Sequence, residues 1–114
     1  MYFLEERVKQ AIRNVPDFPK PGIQFRDITT LIGDAGGFSE AVRRLSARAA
    51  TYRPDLIVAV EARGFLFGAP LARVLGAGIV PVRKPGKLPG RVLEQRYALE
   101  YGEDALQVQA DAVP

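Results

Sequence analysis

LIVAVEARGFLFGAPLARVLGAGIVPV (56–82) is the stretch whose reading decides the fold. LIVAV (56–60) is short, wholly apolar and rich in β-branched residues, the pattern of a strand buried on both faces. The spacing predicts a helix from about Phe65 to Leu75. Gly76 stands where a helix ends on a residue that tolerates a left-handed backbone. IVPV (79–82) reads as a second short strand, with Pro81 arguing against a central place in a sheet. Strand, helix and strand in about 27 residues make a βαβ unit, with parallel strands and a right-handed crossover. Open α/β sheets bind ligands beyond the carboxyl ends of their strands. Two loops lie at those ends, Glu61–Gly64 and Arg83–Gly90.

Upstream, Leu4, Val8, Ile12 and Val15 recur at helical spacing, which predicts an amphipathic helix over 3–14, stopped by Pro16. PDFPKPGIQF (16–25) follows as a stiff, extended loop, anchored by Phe18, Ile23 and Phe25. Asp34 or Ser39 is placed to cap a second helix with the face Phe38, Val42, Leu45 and Ala49. Downstream, RVLEQRYALEYG (91–102) alternates in part and suits either an antiparallel hairpin or a long mobile flap. ALQVQADAV (105–113) reads as a returning strand. The expected organisation is one domain: a helix and arm over 1–30, a βαβ core over 31–90, and a flap with its returning strand over 91–114.

Composition narrows the chemistry. The 114 residues contain no cysteine, so no disulfide framework or thiolate metal site is available. They contain no histidine either, which removes the usual general base and the commonest metal ligand. The formal charge of +3 suits an anionic small molecule. The basic residues are not gathered along one helix or interleaved with aromatics, which argues against nucleic acid. No apolar run reaches the roughly 18 residues of a membrane span. The N-terminus MYFLEERVKQ lacks the apolar core of a signal peptide, so a cytoplasmic protein is expected.

Four stretches carry candidate chemistry. In EARG (61–64), Arg63 and the amides of Gly64 and Phe65 fall at a predicted helix N-terminus, where free N–H groups attract anions. An ordinary βα turn with a solvated arginine is the alternative. In RKPGKLPG (83–90), a loop shaped by prolines and glycines gathers Arg83, Lys84 and Lys87; a solvated basic turn is the alternative. In ALEYG (98–102), Glu100 is a proton acceptor suited to a ring N–H, or else a surface glutamate on a hairpin. In PDFPKPGIQFRDIT (16–29), Phe25 offers a flat face for stacking, or the segment is an arm covering one end of the core.

Taken in order, PDFPKPGIQFRDIT, EARGFLFGAPLA, RKPGKLPG and YALEYG resemble adenine phosphoribosyltransferases along essentially the whole chain. The resemblance implies a phosphoribosyltransferase-type parallel sheet with flanking helices and a β-hairpin flap. It implies the conversion of adenine and phosphoribosyl pyrophosphate to AMP and pyrophosphate, with Mg²⁺ carried on the phosphoribosyl pyrophosphate. By position, Arg63 and Gly64 would bind pyrophosphate. Arg83, Lys84 and Lys87 would reach a pyrophosphate site in the partner subunit of a homodimer. Gln24 and Arg26 would read the adenine edge through their main chains, with Phe25 packed on the ring. Glu100 would hold the N7 proton, and Tyr101 would help the flap exclude water. The family also carries an aspartate pair followed by a threonine- and glycine-rich loop that holds the sugar phosphate. Neither occurs in these 114 residues. The expectation is therefore a piece inactive alone, with a non-catalytic purine- or anion-binding fragment as the alternative.

Overall fold

The computed structural model describes residues 2–114, with side chains from Glu6 onward. It resolves into two compact units, residues 1–48 and 49–114.

In the first unit, α1 (Tyr2–Ala11) is followed by β1 (Arg13–Val15), which pairs antiparallel with β2 (Phe25–Asp27). The helix thus ends earlier than the apolar spacing predicts. Arg13 pairs with Asp27 in backbone register, and its guanidinium donates to the Asp27 carboxylate. A long-range strand pair with an ion pair at its end outweighs one more helical turn. Val8, Ile12 and Val15 of the predicted face are half-buried, while Leu4 lies outside the described side chains. The proline-rich arm is not simply extended. It turns back on itself, with the Phe18 N–H donating to the Ile23 carbonyl (3.1 Å) and the Gly22 N–H to Asp17 Oδ1 (2.8 Å). Gly22 takes a φ of +87°, a region that favours glycine. A short helix, α2 (Thr29–Ile32), leads to α3 (Ala35–Ala50). Asp34 caps α3, its Oδ2 accepting the Gly37 N–H at 3.1 Å, whereas Ser39 lies inside the helix. The buried positions of α3 are Gly37, Glu40, Ala41 and Ser46, and Leu45 of the predicted face is 44% exposed. Small residues let the helix backbone approach closely: a Cβ on Gly37 would stand 3.1 Å from the Leu31 side chain.

The second unit holds the predicted βαβ element. β3 (Leu56–Val60) lies parallel to β4 (Gly78–Val82), in register from Leu56↔Gly78 to Val60↔Val82. α4 (Arg63–Leu75) connects them and begins two residues before Phe65. Gly76 ends it with φ +66°, and the Ala77 N–H returns to the Ala72 carbonyl at 2.9 Å. α4 packs on the face of Ile57, Ala59 and Ile79. A Cβ on Gly68 would meet Ala59 Cβ at 2.7 Å, so glycine is what lets this helix seat on the strands. Side chains alternate across a strand. The opposite face therefore carries Val58 and Val60, which are 57% and 43% exposed, where the apolar run predicts burial on both faces. β3 has β4 as its one strand neighbour among the described residues, so this covering is incomplete.

β5 (Val92–Leu99) and β6 (Gly102–Gln109) form an antiparallel hairpin whose two-residue turn is Glu100–Tyr101. The hairpin reading is the one realised. The whole of 92–99 is one strand, and the return begins at Gly102, earlier than the composition of 105–113 suggests. Arg83 joins the hairpin to the end of β4 by exchanging backbone hydrogen bonds with Gln107, at 2.9 and 2.7 Å.

Candidate functional site

Strand β3 runs on into Glu61, whose N–H donates to the Val82 carbonyl at 2.9 Å. That bond fixes the Glu61 backbone against the end of β4, so its side chain emerges where both parallel strands finish. The Glu61 carboxylate then draws in the second loop. It accepts from Lys87 Nζ (2.7 Å), Arg83 Nε (3.1 Å) and the Lys84 backbone N–H (2.8 Å). Its side chain is only 10% exposed. The Lys87 ammonium, then the Lys84 N–H, hold the carboxyl down at about 2 against the opposing effect of desolvation.

Arg83 is further placed by its guanidinium lying 5.7 Å from the centre of the Phe65 ring. Lys84 is committed elsewhere: its ammonium donates to Tyr97 Oη (2.9 Å) and pairs with the Asp104 carboxylate. Tyr97 and Asp104 face each other across β5 and β6, so one lysine fastens both strands of the hairpin to the basic loop. Asp104 first, and then Tyr97, raise the lysine's pKa, and the lysine lowers that of Asp104.

Arg63 opens α4 two residues beyond Glu61, with an exposed side chain and no ion pair among the described residues. No side chain caps the helix start. A Cβ on Gly64 would stand 3.8 Å from the Ala59 backbone, an ordinary contact. The protein's own packing therefore does not require glycine there. The shallow hollows along the hairpin involve other residues: Pro89, Gly90, Arg91 and Gln109 in one, Pro85, Glu94, Arg96 and Asp104 in another.

Of the residues predicted from sequence, the structure thus gathers the Arg83 and Lys87 side chains and the Lys84 backbone N–H around one carboxylate, with Arg63 and Gly64 on the adjoining helix start. Glu100 and Tyr101 sit at the hairpin tip, three residues past the Tyr97–Asp104 pair and so about 10 Å beyond it. Tyr101 is 88% exposed. In the first unit, Phe25 and Arg26 lie on β2 and Gln24 just precedes it. Phe25 is half-buried, its ring edge-on to Phe18 at 5.1 Å. β2 pairs only with β1 among the described residues. Alternate main-chain N–H and C=O groups along β2 therefore point away from its partner. At the end of β2, Asp27 is buried and accepts from Arg13, the Thr29 N–H (2.9 Å) and Thr29 Oγ1 (2.7 Å). The Thr29 N–H is the largest cause of its pKa falling to about 2.

Sequence reasoning passed over Glu61, Asp27 and Asp104. A signal existed for Glu61: three cations in five residues need a counter-charge, and EARG lies at the same sheet edge.

No protein-family model matches the chain. Known proteins do. It is 70% identical over 102 residues to the adenine phosphoribosyltransferase of Sphingopyxis alaskensis, covering 90% of this chain and 55% of that protein. The solved adenine phosphoribosyltransferase of Thermoanaerobacter pseudethanolicus superposes with a TM-score of 0.86 at 57% identity, over 96% of this chain and 63% of that one. The Saccharomyces cerevisiae enzyme, solved with adenine and an imino-altritol bisphosphate, superposes with a TM-score of 0.92 at 38% identity, over 100% of this chain and 67% of that one. The chain belongs to the adenine phosphoribosyltransferase family. It spans 55–63% of the length of the curated adenine phosphoribosyltransferases it matches. The βαβ element, the hairpin and the proline-rich arm are therefore elements of an adenine phosphoribosyltransferase fold. Among the described residues no helix is long and apolar enough to cross a membrane.

Proposed function

We propose that this chain supplies the base-reading and diphosphate-holding parts of an adenine phosphoribosyltransferase, which acts in purine salvage in the cytoplasm. The observation that carries this reading is the gathering of Arg83 and Lys87 by Glu61 where two parallel strands end, beside Arg63 at the start of α4. In the proposed reaction, adenine N9 bonds to C1′ of phosphoribosyl pyrophosphate as the bond from C1′ to the pyrophosphate oxygen breaks. Negative charge grows on the leaving diphosphate, so cations and amides already in place there lower the barrier. Arg63, the amides of Gly64 and Phe65, Arg83 and Lys87 serve that role. Lys84 contributes its charge while tied to the hairpin.

Main-chain groups of Gln24 and Arg26 read the adenine edge, and Phe25 packs against the ring. A base with the wrong donor–acceptor pattern would leave buried polar groups unpaired, a strong basis for rejection. Glu100 takes the N7 proton, and Tyr101 beside it helps to exclude water. Among the described residues no group of three acidic side chains is placed to hold a metal ion. Mg²⁺ is proposed to arrive with phosphoribosyl pyrophosphate as part of the substrate. The functional unit is proposed to be a homodimer.

These 114 residues alone are proposed not to make AMP, because they contain neither the aspartate pair nor the threonine- and glycine-rich loop that would hold the sugar phosphate. The test is the purified chain with adenine, phosphoribosyl pyrophosphate and Mg²⁺, alongside calorimetric titrations with adenine and with pyrophosphate. No AMP but measurable heat with pyrophosphate is expected. Clear turnover overturns the inactivity, and no heat with pyrophosphate overturns the diphosphate site.

A further inference from the structure

The proposed anion site has a carboxylate at its centre. Arg83, Lys84 and Lys87 bring three positive charges, and Glu61 and Asp104 bring two negative ones, so the cluster carries a net +1, or +2 with Arg63. The cations differ in how firmly they are held. Arg83 is fixed by its backbone bonds to Gln107 and by the Phe65 ring, and Lys84 by Asp104 and Tyr97. Lys87 has the Glu61 carboxylate as its one partner among the described residues, and its side chain is 47% exposed. Lys87 is therefore the cation free to turn from Glu61 toward a ligand.

We infer that Glu61 is an internal competitor for the diphosphate: it holds Lys87 in place beforehand and must yield it when the ligand binds, so Glu61 sets the affinity of the site. This rests on the diphosphate reading above. Two effects of the carboxylate oppose each other. It orders the loop, which favours binding, and it occupies Lys87, which disfavours it. Competition prevails, because the ordering survives without the charge. A neutral side-chain carbonyl at position 61 still accepts from the Lys84 N–H and from Arg83, and the loop stays closed against the strand end. The Lys87 ion pair, by contrast, depends on the charge.

The experiment is calorimetric titration with sodium pyrophosphate, without Mg²⁺ and at low salt. It uses the native chain, Glu61→Gln, Lys87→Ala, Arg63→Ala and the double variant Glu61→Gln/Lys87→Ala, each checked by a thermal melt. Glu61→Gln is expected to bind roughly tenfold more tightly, the size of one charge-assisted hydrogen bond. Lys87→Ala is expected to weaken binding less than Arg63→Ala, because Lys87 must give up its bond to Glu61 before it reaches the ligand, whereas Arg63 has no ion pair among the described residues to give up. The double variant is expected to lose most of the gain from Glu61→Gln, since the two residues act on each other. Equal or weaker binding by a Glu61→Gln chain with a native melt overturns the inference while the diphosphate reading stands. If Glu61→Gln does not fold, the exposed-site pair decides, and an equal loss from Lys87→Ala and Arg63→Ala overturns it. Absence of binding by every chain, the native one included, overturns the diphosphate reading and this inference with it.

Discussion

Gly68 offers the sharpest test of how the βαβ element is held together. An added Cβ there would lie 2.7 Å from Ala59 Cβ and 3.3 Å from Ile79 Cδ1. The isoleucine methyl can rotate away. The alanine Cβ cannot, because it is fixed to the backbone of β3, and Ala59 is only 4% exposed. Relief therefore requires α4 to lift from the sheet by about 1 Å, to a normal carbon–carbon separation. Overpacking of this kind costs roughly 1–3 kcal/mol. Replacing glycine by alanine inside a helix returns about 1 kcal/mol. Gly68→Ala should thus destabilise by about 1 kcal/mol net, and Gly68→Val by considerably more. At roughly 4–8 °C per kcal/mol for a small domain, the alanine variant should melt several degrees lower. Urea unfolding followed by circular dichroism provides the free energy directly. A Gly68→Ala chain as stable as the native one, or more so, refutes the reasoning, because helix propensity would then act against no steric opposition.

Other outcomes follow from the same geometry. Gly64→Ala, whose Cβ would sit at ordinary contact distance, should leave the melt within about 0.5 kcal/mol of native; the same substitution should weaken pyrophosphate binding in calorimetry by blocking approach to the α4 amides. Asp27 and Glu61 are both held near 2, from ordinary values of 3.8 and 4.5. A carboxyl lowered on folding stabilises the protein fully above its unfolded value and loses that contribution as pH falls through the folded one. Melting temperature should therefore fall between about pH 4.5 and 2, and Asp27→Asn should flatten part of that fall. Asp104→Asn removes the charged partner of Lys84, so amide exchange across β5 and β6 should quicken, with that of α4 unchanged. Glu100→Gln lies on a two-residue turn and should leave the melt unchanged; a shift of several degrees would give that carboxylate a structural role.

Much of the second unit was legible in the chain. A wholly apolar LIVAV, a helix-length segment and Gly76 sufficed for β3, α4 and the left-handed end of the helix, because each depends on local pattern. The loops at the strand ends followed from topology. Contacts that join distant segments were not legible. The Lys84 ammonium meets Tyr97 and Asp104 only once the hairpin register is known. A shift of one residue would turn Asp104 to the other face. The β1–β2 pair depends on Arg13 meeting Asp27 across fourteen positions, which no helical or alternating pattern announces. In the chain Glu61 is simply a neighbour of Arg63 and Gly64, although its carboxylate organises the loop twenty-odd residues away.

The central claim is that groups at the ends of β3 and β4 hold a diphosphate. Amide chemical shifts of the ¹⁵N-labelled chain, followed while inorganic pyrophosphate is added, test it residue by residue. Saturable shifts concentrated at Glu61–Phe65 and Arg83–Lys87, and much reduced in Arg63→Ala, are the predicted result. Shifts absent from both segments, or spread over the exposed lysines and arginines without saturating, would contradict it.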